Sequence, residues 1–100
     1  MAAHRCDAAL LSDIKNYLNI TWEDAETDKK IIGYTEAGIL KINALTGGTE
    51  DYHEESEYKA LLMDYCRLRH AEVPEKFEEL FKSDLIRLRL SNIAGDDDDD

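Results

Sequence analysis

The chain has 100 residues, of which 23 are acidic and 12 are basic, so its formal net charge is −11. This length allows one domain with a modest core but no large catalytic cleft, and the negative charge excludes tight, sequence-independent binding to a phosphate backbone. Asp96–Asp100 should form a disordered acidic tail, and removing these five charges from the formal −11 leaves −6 for residues 1–95.

The sequence indicates a soluble protein that is made in the cytoplasm. It has no apolar run long enough to cross a membrane. The apolar segment Ala8–Leu11 is too short for a signal peptide and is followed at once by Ser12 and Asp13.

The first predicted element is a short amphipathic helix near Asp7–Leu18. Its apolar residues recur at helical spacing, and they are Leu10, Leu11, Ile14, Tyr17 and Leu18. The connection at Asn19–Thr21 is short enough to place this helix beside the next one.

The second predicted helix, near Trp22–Thr46, is the longest, and we expect the other helices to pack around it. A capping-box pattern marks its start, with Thr21 as the N-cap and Asp24 three residues later. Gly47 and Gly48 mark its end, because glycine accepts the positive φ that often closes a helix. Two neighbouring stripes follow helical spacing, and they are Ile31, Tyr34, Gly38, Ile42 and Leu45, then Ile32, Glu36 and Ile39.

Gly33, Ala37 and Gly38 are small residues inside this helix, where each glycine costs about 1 kcal/mol relative to alanine. A packing role would offset that cost, because small residues let two helices approach closely. The contact could be a crossing with another helix of the same chain or a contact between subunits.

The acidic segment Thr49–Glu55 has no apolar periodicity and lacks the calcium-loop pattern, so we predict an exposed loop. A third helix follows near Glu57–Ala71. Its broad apolar face consists of Tyr58, Leu61, Leu62, Tyr65, Cys66 and Leu68.

The fourth predicted helix runs near Pro74–Leu90, because proline suits the first turn of a helix. Its apolar stripe consists of Phe77, Leu80, Phe81, Leu85 and Leu88, and a second face consists of Ile86, Leu90 and Ile93. Leu85–Leu90 also alternates as a β-strand does, which would end the helix near Ser83. The sequence offers no second strand for pairing, so we favour the helix. The predicted fold is all-α, a bundle of about four helices around a long central helix.

No catalytic motif is present in the sequence, so we expect neither enzymatic activity nor a cofactor. Four residues have the side chains that a tetrahedral zinc site requires, and they are His4, Cys6, Cys66 and His70. Zinc ligands normally pair within loops, however, and a lone cysteine on an apolar stripe usually belongs to the core. We therefore expect no metal and two reduced cysteines, and His53 has no neighbour in sequence that would make it a general base.

Three segments together carry a resemblance. They are LLSDIKNYLNI, TWEDAETDKKIIGYTEAGILKINALTG and EYKALLMDYCRLRHAEVPEKFEELFKSDLIRLRL. From Leu10 to about Leu90 they resemble the small head–tail connector proteins of tailed bacteriophages, also called head-completion or adaptor proteins. The shared pattern is a short helix, a long helix opened by acids and closed at Ala44–Gly47, and a helical pair bearing Leu61–Tyr65. The run Asp96–Asp100 has no counterpart in that pattern.

The resemblance implies a structural subunit of the virion that assembles as a ring of twelve under the portal of a DNA-filled capsid. Its implied partners are other copies of itself, the portal protein and the next neck or tail-completion protein. DNA would pass the channel without specific binding, no membrane would be involved, and the free subunit would reside in the host cytoplasm.

The net charge alone supports a different class of protein, a small acidic regulator that mimics DNA or covers a basic protein surface. Self-association separates the two hypotheses, because an adaptor forms rings or binds a portal, whereas a DNA mimic competes with nucleic acid as a monomer or dimer.

Aromatic and arginine side chains are frequent anchors of protein interfaces. Two tyrosines flank the acidic loop, and two arginines stand among apolar residues near the C-terminus. We therefore predict subunit or portal contacts at Tyr52, Tyr58, Arg87 and Arg89.

Overall fold

The computed structural model describes Cys6, residues 8–48, Tyr52 and residues 56–98, with the backbone alone from residue 94 onward. Within these residues the chain forms five α-helices and no β-strand. They are α1 (Ala8–Tyr17), α2 (Ala25–Thr46), α3 (Glu57–His70), α4 (Lys76–Leu80) and α5 (Lys82–Asp98). The all-α fold class is confirmed, and Leu85–Leu90 is helical.

Helix α2 begins at a different cap from the one that we predicted. Asp24 is the N-cap, and its carboxylate accepts hydrogen bonds from the backbone N–H of Thr27 at 3.0 Å and from the Thr27 hydroxyl at 2.7 Å. The prediction of Thr21 as the cap and Trp22 as the first helical residue is therefore wrong, because the carboxylate of Asp24 occupies the first-turn N–H group. The predicted end is confirmed, since Gly47 has φ +75° and donates its N–H to the carbonyl of Asn43.

Helix α2 is the centre of the bundle, because α1, α3 and α5 all pack against it. The crossing with α3 lies at Gly38, where a Cβ atom would stand 2.7 Å from Tyr65 Cδ2 and 2.8 Å from Leu62 Cδ1. Gly38 is therefore a close crossing point within the chain. Gly33 differs, since a Cβ atom there would have no neighbour within 4 Å.

Two threonines that belong to neither predicted stripe, Thr35 and Thr46, lie in the core face of α2. The hydroxyl of Thr35 donates to the carbonyl of Ile31, and that of Thr46 donates to the carbonyl of Ile42, each at 2.8 Å. Because each hydroxyl finds its partner one turn earlier in the same helix, its burial leaves no unsatisfied donor.

Three polar contacts hold α1 in place against α2 and α3. In two of them a largely buried lysine reaches a carboxylate, and in the third a tyrosine hydroxyl donates to a carboxylate. The pairs are Lys15–Asp28 at 2.7 Å, Lys59–Asp13 at 2.8 Å and Tyr17–Asp64 at 2.7 Å. These contacts fix the orientation of a helix that is only ten residues long.

The segment Pro74–Leu90, predicted as one helix, forms two helices with a bend at Phe81. The backbone of Phe81 leaves the helical region at φ −113° and ψ 21°, although its N–H still bonds the carbonyl of Phe77 at 3.0 Å. With this bend, α4 buries Phe77 against the ring of Tyr65, at a centroid distance of 5.2 Å. The α5 side chain of Leu85 is buried in the same core.

The predicted disordered tail differs from the structure over part of its length. Asp96–Asp98 continue α5, because once a helix exists each further residue adds a backbone hydrogen bond. Asp99 and Asp100 lie outside the described residues, as do His4, His53 and the predicted loop Thr49–Glu55 apart from Tyr52.

Candidate interface surfaces

The two tyrosines predicted as surface anchors lie inside the subunit. Tyr52 is 0% exposed and donates its hydroxyl to Asn43 Oδ1 at 2.7 Å. Tyr58 is 7% exposed, meets the Tyr52 ring edge-on and accepts a hydrogen bond from Asn92 Nδ2 at 2.9 Å. Both rings therefore join α2, α3 and α5, and neither presents a surface to a partner. The two tyrosines are therefore not surface anchors, because their rings are buried and their hydroxyl groups bond side chains of the same subunit.

Arg87 is on the surface but is already occupied by two carboxylates of the same chain. Its guanidinium binds both carboxylate oxygens of Glu57 and also reaches Asp84 at 3.1 Å. The hydrogen bond from Arg87 lowers the pKa of the Glu57 carboxyl, and the two carboxylates raise the pKa of Arg87. Arg87 thus ties α5 to the start of α3, and its role as a subunit or portal anchor stays a prediction.

Arg89 lies beside an open groove, which we call the α5 groove. This groove has a volume of about 230 Å³ and lies between α2, α4 and α5. Its lining residues are Leu45, Glu78, Lys82, Leu85, Ile86 and Arg89. Glu78 pairs with Lys41 of α2 at 2.9 Å, so the remaining rim charges, Lys82 and Arg89, are both positive. A locally basic rim therefore surrounds an apolar slot on a chain whose net charge is −11.

An exposed apolar stripe on α5 continues from this groove. Ile86, Leu90 and Ile93 have the i, i+4, i+7 spacing of one helix face and are 48%, 60% and 49% exposed. The opposite side of α5 already contributes Leu85 and Leu88 to the core. Helix α5 is thus apolar on two faces, and the described residues bury only one of them in the core.

A second exposed apolar group precedes α2, in a segment that we call the Trp22 turn (Thr21–Asp24). Trp22 is the only tryptophan of the chain and is 53% exposed. It borders a recess of about 210 Å³ that Tyr34, Lys30 and His70 also line. Glu23, Asp24 and the nearby Glu26 make the turn acidic. All four residues of the turn are exposed, and they are Thr21, Trp22, Glu23 and Asp24.

Another groove, of about 390 Å³, lies between α1 and the start of α2. It contains the Lys15–Asp28 ion pair, whose hydrogen bond raises the pKa of Lys15. Among the described residues no group of three or more histidine, cysteine, aspartate or glutamate side chains could hold a metal ion. No helix in that part of the chain is long and apolar enough to cross a membrane.

We compared the chain with known protein families, with curated proteins and with solved structures. None of the three comparisons gave a match.

Sequence reasoning found part of these surfaces. The second apolar face of α5 was visible in the helical spacing of Ile86, Leu90 and Ile93. Arg89 is exposed at the rim of the groove, and its role as a subunit or portal anchor stays a prediction. Trp22 was missed as a candidate because it was placed in the first turn of a helix. The signal that could have found it is a lone tryptophan among consecutive acids.

Proposed function

We propose that the protein is a structural subunit of a tailed bacteriophage or prophage, a ring-forming adaptor that joins the portal to the tail or neck and completes the DNA-filled head. In this role it is not an enzyme and needs no cofactor. It works by shape and by repeated contacts with neighbouring copies, the portal and the next neck protein. Such contacts add through effective concentration, so a subunit that is monomeric in solution can still assemble on a portal.

The observation that carries this proposal is the uncovered face of α5. Ile86, Leu90 and Ile93 expose about half of their side chains on one helix face, and exposed apolar side chains that cluster in this way often mark a protein-interaction site. Other side chains of α4 and α5 already belong to the core of the subunit, and they are the buried residues Phe77, Leu85 and Leu88. The extra apolar stripe thus serves a contact outside the chain.

The net charge supports the same role. An acidic subunit repels the phosphate backbone, so DNA would move along a channel of such subunits without adhering to its wall. The virion and, before assembly, the host cytoplasm are the places where this subunit would be found.

Electron microscopy of particles made without this protein tests the proposal. We expect DNA-filled heads without tails, or heads that have lost their DNA, and normal tailed particles would refute the proposal. Rescue with variants sharpens the test, since Leu90→Glu should fail to restore tails. Leu40→Glu is the matched control, because Leu40 is also exposed, at 63%, but lies on α2 away from the α5 stripe.

The acidic-regulator hypothesis rests on the same charge of −11. It predicts that the purified protein competes with nucleic acid for a basic protein and that its deletion leaves particle structure unchanged. The microscopy experiment therefore separates the two functions.

A further inference from the structure

The α5 groove and the Trp22 turn complement each other in size and in charge. We propose that Trp22 of one copy inserts into the α5 groove of a second copy, so that the two surfaces form the contact between neighbouring subunits. This inference rests on the proposed function, because it names the surfaces through which the subunits of the ring meet.

The sizes of the two surfaces agree. A cavity of about 150 Å³ is sufficient to hold a benzene ring, and the α5 groove has about 230 Å³ between Leu45, Leu85 and Ile86. Trp22 is half exposed in its own subunit, and tryptophan is among the residues that most often dominate the binding energy of an interface. An indole ring is therefore a suitable occupant of the groove.

The charges of the two surfaces are opposite. Lys82 and Arg89 border the groove, whereas Glu23 and Glu26 flank Trp22 and are exposed. Glu78 is the acid of the groove, and it is paired with Lys41. Lys30 is a basic group beside Trp22. The net charge is therefore positive around the α5 groove and negative around Trp22. Opposite charges favour the docking of these two surfaces on each other over the docking of either one on a surface of its own sign.

The positions of the two surfaces determine what kind of assembly results. Ile31 lines the recess beside Trp22, and Leu45 lines the α5 groove. Because a helix rises 1.5 Å per residue, these two positions on α2 are about 21 Å apart. One subunit cannot fill its own groove, so the contact joins unlike surfaces of successive copies. Exchanged reciprocally between two copies, this contact gives a two-fold dimer; passed from each copy to the next, it generates a closed ring, or an open filament if the rotation does not close. A ring-forming adaptor uses the second arrangement.

Intrinsic fluorescence of the purified full chain tests the proposal directly, because Trp22 is the only tryptophan. We expect its emission to shift to shorter wavelength, and its quenching by iodide or acrylamide to fall, as the protein associates with rising concentration. Trp22→Ala should weaken self-association at least about thirtyfold, which corresponds to the 2 kcal/mol threshold of a hot spot.

Charge reversal gives a second, independent test. Lys82→Glu/Arg89→Glu makes both surfaces acidic, and Glu23→Lys/Glu26→Lys makes both surfaces basic, so each double variant alone should be monomeric. An equimolar mixture of the two should associate again, because each groove then meets a turn of opposite charge. The control is Lys29→Glu/Lys76→Glu, which changes the net charge equally at exposed positions outside the groove, and it should associate like the wild type.

Circular dichroism of each variant establishes that it is folded before association is measured by sedimentation. Self-association with Trp22 still fully accessible to quencher would overturn the inference, as would a monomer at millimolar concentration or a mixture that fails to associate. The proposed function is judged separately, by tail formation in particles that lack the protein. Tailless particles together with an accessible Trp22 would retain the adaptor and reject this contact.

Discussion

Replacement of Gly33 or Gly38 by alanine tests how closely α2 meets α3. Both glycines lie inside the same helix, so each substitution should gain about 1 kcal/mol from helix propensity. The two positions differ in their surroundings, because a methyl group at Gly33 meets open space, whereas at Gly38 it would approach Tyr65 Cδ2 to 2.7 Å. The pair therefore isolates the effect of packing from that of propensity.

The expected magnitude follows from these distances. At Gly38 the new methyl group would also stand 2.8 Å from Leu62 Cδ1, and Leu62 and Tyr65 are 0% and 5% exposed, so neither has room to move away. Overpacking of this kind costs roughly 1–3 kcal/mol. Gly33→Ala should thus be stabilised by about 1 kcal/mol, and Gly38→Ala should be less stable than Gly33→Ala by roughly 1–3 kcal/mol.

Urea denaturation followed by far-ultraviolet circular dichroism measures both free energies of unfolding. In thermal unfolding the midpoints should differ by at least about 4 °C, since 1 kcal/mol shifts the midpoint of a domain of this size by roughly 4–8 °C. Equal stability of the two variants, or greater stability of Gly38→Ala, would refute the close crossing of α2 and α3.

Four further substitutions or measurements test the helix ends and the core. Gly47→Ala should lose about 1 kcal/mol of stability, and Glu72→Gly should gain up to about 1 kcal/mol. Both positions have positive φ, at +75° and +66°, and only glycine adopts it without strain. Equal effects of the same sign in chemical denaturation would contradict this reasoning. The hydrogen bonds from Thr27 lower the pKa of the Asp24 carboxyl below its ordinary value of 3.8. The stabilisation that ionised Asp24 contributes is therefore present above pH 3.8 and is lost as the pH falls through the lower pKa of the folded protein. The stability difference between the wild type and Asp24→Asn should thus shrink during an acid titration. A constant difference would argue against the cap. Burial raises the pKa of the Cys66 thiol to about 12. In a Cys6→Ser variant this thiol should therefore stay unreactive toward thiol reagents at neutral pH until denaturant is added. Rapid reaction of the folded protein would show that Cys66 is accessible to solvent.

Local chemistry explains why most of the fold could be predicted from the sequence. The stop at Gly47 and the helical spacing of Ile31, Gly38 and Ile42 depend on neighbouring residues alone, and the structure agrees with them. The prediction of where α2 starts was wrong because Thr21 and Asp24 are both good N-cap residues. The choice between them depends on which side chain reaches an N–H group of the first turn, and Asp24 does so.

The candidate interface was harder to predict because tyrosine is suited both to a core and to an interface. What places Tyr52 and Tyr58 in the interior is a pair of amide partners, Asn43 and Asn92, and Asn92 lies 34 residues beyond Tyr58 in the chain. No local pattern carries that information. The bend at Phe81 likewise depends on the packing of neighbouring helices.

The burial of Tyr52 has a consequence for how the connection between α2 and α3 tolerates change in length. This side chain is fixed near the middle of the connection, which runs from the end of α2 at Thr46 to the start of α3 at Glu57. The buried ring is therefore a fixed point between the two helix ends, and closure entropy is counted over two shorter intervals of chain. Closure entropy grows slowly with loop length, by about 0.6 kcal/mol for each doubling, so flexible residues added on either side of Tyr52 lengthen one interval at small cost. Loss of the ring removes that fixed point, so the closure entropy is then counted over the whole interval from Thr46 to Glu57.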